Sequence, residues 1–281
     1  MNQFLADFRY LALLSLVPAF IAMAAVTALE YAFPDGTRTS IRSRICGAAL
    51  RFCFIVTLVL CQTMAIEATK WYPIEPLVLA HVGQFTHADS MPLRVASWIV
   101  IYILAVTFTE FWMYWFHRLQ HGNRLLWSYH RVHHSNRELN GINALDHFSD
   151  PFFALPAMFL PSIVLFSFDN GGPWPYVLTQ LVWLHGIFDH AATRLNIGRY
   201  LRFLVADNRY HRVHHSRDPA HFDKNFSTRI TLWDWLFGTA YFPKRGESLG
   251  AVGIDDAPTP RIGTYFALHP RPKFQNELAA P

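Results

Sequence analysis

The sequence predicts an all-α integral membrane protein that holds a dinuclear metal site at one end of its helices. Of its 281 residues, 52% are hydrophobic and only 16% are charged, whereas soluble domains average about a quarter charged residues. Several apolar segments are long enough to cross about 30 Å of hydrocarbon as helices. Histidines recur in three clusters at helical spacing. We therefore expect a single membrane domain over residues 1–281 with four or five spans.

Two apolar segments come before any histidine cluster. The first, at 10–33, has no basic stretch ahead of it and no clear cleavage site, so we expect a permanent span rather than a signal peptide. The second, at 45–66, has Arg51 near its start, where a long basic side chain can extend toward the interface. With the mixed segment that follows, these spans form an N-terminal region at 1–92.

The later apolar segments flank the histidines. A third predicted span at 93–116 leads directly into the first group of histidines in the sequence, which begins at His117. The polar stretch 117–147 follows it. Two further apolar stretches, 148–168 and 174–187, are separated only by DNGGP at 169–173. That sequence is typical of a tight turn, so the pair predicts a helical hairpin. Whether both of its arms cross the membrane fully is left open.

The basic residues predict which side of the membrane carries the histidines. With this order of spans, 20 of the 24 lysines and arginines fall on the side of the two HxxHH clusters. Because cytoplasmic loops are enriched in basic residues, we expect the metal site to be cytoplasmic. The arginines occupy several loops rather than one stripe, which argues against nucleic acid as a partner. The Pro-rich tail at 246–281 is expected to be poorly ordered.

Three histidine boxes carry the predicted chemistry. The first is HRLQH at 117–121, and the heptapeptide YHRVHHS occurs twice, at 129–135 and 210–216. Residues three and four apart share one face of a helix, and neutral imidazole is the commonest side-chain metal ligand. One tetrahedral zinc takes four ligands, so eight imidazoles predict a two-metal centre. The eight are His117, His121, His130, His133, His134, His211, His214 and His215.

Further ligands and supporting carboxylates lie near the boxes. The last apolar stretch ends in HGIFDH, which brings His190 to the same side as a predicted ninth ligand and His185 as a possible tenth. Metal-bound histidines usually donate their other N–H to a carboxylate or a carbonyl. The acidic residues that could accept it are Glu110, Asp146, Asp189, Asp207 and Asp234.

The ligand type leaves the metal open, since imidazole suits zinc, copper, iron and nickel. The membrane setting adds a lipid substrate, and two redox metals beside an alkyl chain predict O₂ activation followed by attack on an unactivated C–H bond. Zinc has no redox chemistry and would support hydrolysis instead. A membrane zinc hydrolase and a metal transporter are the alternatives. Transporters usually place their sites near the bilayer midplane, whereas these boxes lie at the helix ends.

The boxes also carry a family resemblance. With EFWMYWFHR at 110–118 and NFSTRITLWDWLFGT at 225–239, they resemble the fatty acid hydroxylase/sterol desaturase superfamily over residues 94–242. The resemblance implies an all-α fold with a membrane stem and a cytosolic helical cap holding two irons. It implies that His190 and the eight box histidines are ligands, with His185 a weaker match. It also implies O₂-dependent hydroxylation or desaturation of a sterol, a fatty acyl chain, or a sphingoid or ether lipid.

The sequence departs from the family in ways that affect partners and subfamily. Members commonly have Asp where Glu110 stands, and a polar residue is missing in His190-Ala191-Ala192. Within this sequence there is no His-Pro-Gly-Gly haem motif, so electrons are expected from a separate ferredoxin, cytochrome or reductase. A member that acts as a lipid isomerase or lyase without O₂ chemistry is a further alternative. The sequence predicts neither the oligomeric state nor a choice between a bacterial inner membrane and the endoplasmic reticulum.

Overall fold

A computed structural model describes residues 2–71, 80–81, 90–143, 146–154, 166–167, 174–198, 200–244 and 246–254. These residues are helical or irregular, apart from one two-residue parallel pairing between Ala80–His81 and Phe166–Ser167 and three isolated β-bridges, so the all-α prediction is confirmed. The main helices in chain order are α1 Asn2–Ala32, α2 Ile41–Trp71, α3 Met91–Gly122, α4 Arg124–His134, α5 Trp174–Phe188, α6 Asn208–His214 and α7 Leu232–Leu236.

Among the described residues, three helices are long and apolar enough to cross a membrane. They contain Gln3–Ala32 in α1, Ile41–Ala68 in α2 and Met91–Gly122 in α3, and the predicted spans at 10–33, 45–66 and 93–116 fall on them. At 1.5 Å per residue, the 32 residues of α3 extend about 48 Å. This exceeds the hydrocarbon thickness of about 30 Å. The C-terminal third of α3, with the first histidine box, can therefore project beyond the bilayer.

The predicted hairpin is only partly visible. Its second arm is α5, whose 15 residues extend about 22 Å and are too few for a full crossing. The C-terminal end of α5 packs on α1, where Ile187 shares a buried apolar cluster with Met23 and Val26. Most of the first arm, at 148–168, lies outside the described residues, as does the tail beyond 254. The hairpin, the poorly ordered tail and the division at residues 92–94 remain predictions.

A buried acid in α1 joins the membrane helices to the histidine-bearing loops. Glu30 is 3% exposed and forms an ion pair with Arg44 of α2. Its other carboxylate oxygen accepts hydrogen bonds from the backbone N–H groups of Gly141 and Ala192, both at 2.8 Å. A Cβ at Gly141 would approach Val26 Cγ1 to 2.7 Å. Glycine therefore allows the loop after α4 to rest directly on α1.

Candidate metal centre

Local capping places the first two boxes. The side chain of Asn123 accepts hydrogen bonds from Leu125 N and Leu126 N, so α4 begins one residue after α3 ends. His117 and His121 lie on one face of α3, one turn apart. The chain then folds back so that α4 carries its three histidines against that face.

The third box is placed by a second cap. The Asp207 carboxylate accepts hydrogen bonds from Arg209 N and Tyr210 N and begins α6. This short helix and its C-cap present His211, His214 and His215 to α4. Asp207 was predicted to support a ligand directly; in the structure it is a helix cap that also lies 3.4 Å from Ile197 N.

The structure brings nine predicted ligands together in two groups. In each group, one ring nitrogen from every histidine lies within 4.8 Å of those from all the others. Every member is buried except His121, which is partly exposed. The first cluster comprises His117, His121, His130, His134 and His214, and the second comprises His133, His190, His211 and His215.

The two HRVHH copies exchange one histidine each. His130 and His134, four residues apart, join the first cluster, but His133 belongs to the second. In the other copy, His211 and His215 join the second cluster and His214 crosses to the first. On a helix, i+4 is rotated by about 40° from i in one direction, and i+3 by about 60° in the other direction. The side chain at i+3 can therefore reach a different cluster from those at i and i+4. The two helices that carry HRVHH, α4 and α6 with its C-cap, therefore each contribute to both clusters and fix one cluster relative to the other.

The Nε2 atoms converge within each cluster. In the first, Nε2 of His130 lies 3.0 Å from that of His117 and 3.1 Å from that of His134. In the second, Nε2 of His211 lies 2.9 Å from that of His190 and 3.1 Å from that of His215. Such close approach of several ring nitrogens suits a shared cation, since a neutral imidazole carries only one proton.

Backbone carbonyls set the tautomer of three of these rings. A carbonyl can only accept, so Nδ1 donates from His117 to Phe226 O at 2.6 Å, from His214 to Lys224 O at 2.9 Å and from His190 to Gly186 O at 3.0 Å. The Nε2 lone pair of each ring is then directed into its cluster. Among the described residues, the buried Nε2 of His214 has no hydrogen-bond partner. The donor set therefore fits metal ions.

Burial keeps these imidazoles neutral. Desolvation, followed by repulsion from neighbouring imidazoles, lowers the pKa well below its usual range for the buried box histidines outside the spans: His130, His134, His211, His214 and His215. The same causes lower the pKa of His190 to about 3. Only the unprotonated ring can bind a metal, so the site is in its binding form at neutral pH.

Two predicted supporting carboxylates act through the loop after the third box rather than on imidazoles directly. Asp234 accepts from Phe226 N at 2.9 Å and from Ser227 N at 2.8 Å. Glu110, fully buried in α3, accepts from Arg229 N at 2.9 Å and forms an ion pair with the Arg229 guanidinium. Together they fix the backbone whose Phe226 carbonyl orients His117.

The same loop contains the supporting groups that sequence reasoning missed. Backbone carbonyls carry no side-chain signature, although the NFSTRITLWDW motif marked the segment. Asp223 and Asn225 adopt left-handed φ values of 54° and 58°, which non-glycine residues seldom do outside constrained sites. The Asn225 side chain donates to Tyr210 O and Tyr241 O, both at 2.9 Å. This turn directs the Lys224 carbonyl toward His214.

The structure does not bring His185 into either cluster. Its Nε2 lies 2.9 Å from Ala206 O and 3.2 Å from the Asp189 carboxylate. Five residues on a helix span about 140°, and α5 ends at Phe188, so the turn that follows directs His190 elsewhere. The predicted support of a metal ligand by Asp189 likewise takes the form of a contact with His185.

We expect His185→Gln to retain two metals per chain, because its ring lies outside both clusters. The matched variant His190→Gln, a few residues further on, should lose metal from the second cluster. Elemental analysis of both purified variants checks this. Loss of one metal from His185→Gln with full retention in His190→Gln would reverse the assignment.

Comparisons with known proteins agree with this geometry. Residues 102–239 match the family model described as fatty acid hydroxylase. Ornithine lipid hydroxylase OlsE from Rhizobium tropici is 31% identical over 64% of this chain and 54% of its own length. The alkylglycerol monooxygenase of Xenopus tropicalis is 30% identical over 50% of this chain and 30% of its own, and that of Homo sapiens is 31% identical over 46% and 28%.

The chain thus spans about half the length of the first relative and under a third of the other two. No solved structure matches it. The matched segment contains all nine clustered histidines and the loop that orients them. Residues 102–239 of this chain therefore belong to the fatty acid hydroxylase family.

Proposed function

We propose that this protein is an O₂-dependent di-iron monooxygenase that hydroxylates an unactivated C–H bond of a membrane lipid. The observation that carries the proposal is the pair of buried histidine clusters at the end of apolar helices. Iron bound there would supply O₂ activation and the attack on the C–H bond. His117, His121, His130, His134 and His214 would hold one ion, and His133, His190, His211 and His215 the other.

The remaining contribution of the chain is to orient these ligands and to exclude water. Three carbonyl contacts fix the ring orientation of His117, His190 and His214 before any ion arrives, which lowers the cost of organising the site. Burial of the clusters protects a reactive site from side reactions with water. On α3, half-buried Phe108, Phe111 and Trp112 lie one to three turns before His117 and could contact a lipid chain.

The relatives favour hydroxylation over desaturation. Their names describe a hydroxylase of ornithine lipid and monooxygenases of alkylglycerols, both polar lipids with aliphatic chains. We therefore propose a polar glycerol- or amino acid-bearing lipid ahead of a sterol, a free fatty acyl chain or a sphingoid lipid. Desaturation, a zinc hydrolase, and an isomerase or lyase without O₂ chemistry are the competing functions.

Sidedness and electron supply complete the proposal. The basic residues support a cytoplasmic position for the clusters. Electrons would then come from a separate ferredoxin, cytochrome or reductase on that side. The same basic face would attract an acidic redox protein by electrostatic steering.

We expect about two irons per chain in protein purified in mild detergent from iron-replete cells, together with O₂ uptake that depends on both a reductant and added lipid. Removal of iron by a chelator should abolish O₂ uptake, and readdition of Fe²⁺ should restore it. Elemental analysis and an oxygen electrode measure the two quantities. Comparison of lipids from cells with and without the protein should show a product heavier by one oxygen atom.

The competing functions give different results. Two irons without O₂ uptake would favour the isomerase or lyase, and a product lighter by two hydrogens would favour the desaturase. Two zincs that cannot be exchanged for active iron would favour the hydrolase. Because zinc can displace iron during overexpression, a zinc-containing preparation is first reloaded with Fe²⁺. One metal or none per chain would contradict the two-cluster site itself.

A further inference from the structure

The helix α2 contacts the loop and the helix that carry the second histidine box, in addition to its predicted role as a membrane span. One stripe of α2, at four- and three-residue intervals, contacts the segment that connects the second box to residue 148. At its first position, Ser43 Oγ accepts a hydrogen bond from Asn143 at 2.6 Å. One turn on, a Cβ at Gly47 would approach Asn143 Cβ to 2.9 Å. Glycine there lets α2 and the loop touch.

The next turn of α2 reaches the second box itself. Leu50 is 2% exposed and packs with Val132, the residue next to His133. Phe148 closes the same apolar cluster. This packing fixes α4 against α2 next to His133. His133 is the one histidine of its box that lies in the second cluster.

Arg51, the next residue on α2, adds an ion pair to the apolar contact made by Leu50. It is 7% exposed, and its guanidinium lies 3.9 Å from the Asp146 carboxylate. The other oxygen of Asp146 lies 3.3 Å from Nδ1 of His133, an electrostatic contact that lacks the geometry of a hydrogen bond in this structure. The sequence predicts that Arg51 extends toward the membrane interface; instead it is buried against Asp146. A buried arginine needs such a partner, because an isolated charge in the protein interior is costly.

We propose that Arg51 is a positioning residue for the second metal: it holds Asp146, which orients His133 through Nδ1. Carboxylates that accept from a metal-bound histidine fix its orientation and raise its basicity. Arg51 lies outside the matched segment 102–239, so the N-terminal spans take part in the metal centre. This inference rests on the proposed two-metal function but concerns one cluster alone.

The test measures metal retention rather than turnover. Arg51→Gln and Asp146→Asn are purified with the wild-type chain, loaded with Fe²⁺, and titrated with a chelator while bound metal is counted. We expect one of the two metals to be lost at a chelator concentration about 10–100 times lower than in the wild type, the usual cost of losing such a contact. Arg51→Lys, which keeps the charge, should recover part of the resistance.

Two controls separate positioning from general destabilisation. Arg44→Gln removes an equally buried arginine from the same helix, but its partner is Glu30 and it touches no cluster histidine. It should leave the chelator resistance of both metals at the wild-type value well below its unfolding temperature. In addition, Arg51→Gln should weaken the metal that remains in a His117→Ala chain and not the one that remains in a His211→Ala chain.

The failures are distinguishable. A wild-type chain that binds fewer than two metals contradicts the proposed function. A wild-type chain with two metals, alongside Arg51→Gln and Asp146→Asn chains of unchanged chelator resistance, overturns the positioning role. So does equal weakening of both metals, or loss in Arg44→Gln that matches that in Arg51→Gln.

Discussion

Replacing His214 by alanine is expected to lower turnover by more than about 100-fold. It should remove metal from the first cluster and not from the second, which contains the other two histidines of its box. Supporting contacts alone are worth 10–100-fold in affinity or activity, so loss of a ligand should exceed that. His214 is the one member of the third box that lies in the same cluster as the two histidines of α3. Turnover and metal content of the purified variant are measured together.

The mirror variant, His133→Ala, should lose the second metal instead. Both variants should still insert into membranes, because neither changes an apolar helix. The two preparations can be told apart by combining each with His117→Ala, which weakens only the first cluster: the double variant with His133→Ala should hold no metal, and that with His214→Ala should keep the second. Identical metal contents in the two doubles would contradict the crossed assignment.

A buried histidine outside the clusters provides the control. His221 is 4% exposed, and its Nδ1 lies 2.8 Å from Ser216 Oγ. His221→Asn keeps a polar group near that hydroxyl and should retain both metals and most of the turnover. If it were as inactive as His214→Ala, loss of activity would reflect damage to the fold around the third box and would not identify ligands.

The convergence of the histidines could be predicted from the sequence, but their division into two clusters could not. The repeat YHRVHHS and the spacing of His117 and His121 give nine convergent imidazoles once His190 is added. Spacing states only which residues share a helix face. The assignment of His133 and His214 to opposite clusters depends on how α4 and α6 pack, and that is set by contacts distant in the sequence.

The supporting groups were harder to predict for a different reason. Glu110 and Asp234 stood out as acids near apolar sequence, and both do support the site, but through the backbone of residues 226–229. His185 lies outside both clusters because α5 ends at Phe188 and the chain then turns. Even in a continuous helix, His185 and His190 would differ in direction by about 140°. The contact of Arg51 with Asp146 has no local sequence signal, because the two residues are almost a hundred positions apart.

Glu30→Gln should destabilise the protein by about 3–5 kcal/mol, the cost of leaving one member of a buried ion pair uncompensated. Glu30 and Arg44 are 3% and 6% exposed, so water cannot replace the lost partner. For a chain of this size the change corresponds to a lowering of the Tm on the order of 10 °C. Thermal unfolding in detergent, with the metal state held fixed, measures it.

The exposed pair on α2 provides the matched control. Glu67 lies 2.6 Å from Lys70, with side chains 28% and 47% exposed, and Glu67→Gln should leave the Tm unchanged because solvent screens such pairs. A double variant Glu30→Gln/Arg44→Gln should be less destabilised than the sum of the singles, since the unpaired charge is removed. Strict additivity would mean that the carboxylate matters only for Gly141 and Ala192.

The backbone contacts of Glu30 extend its effect to the metal centre. Ala192 N, which donates to Glu30 at 2.8 Å, follows His190 by two residues, so the carboxylate holds the segment that carries a proposed ligand of the second cluster. Glu30→Ala, which removes both acceptor oxygens, should therefore weaken the second metal as well as the fold, whereas Arg44→Gln should affect the fold alone. Equal metal retention in these two variants would confine Glu30 to stability and leave its contact with Ala192 without a part in metal binding.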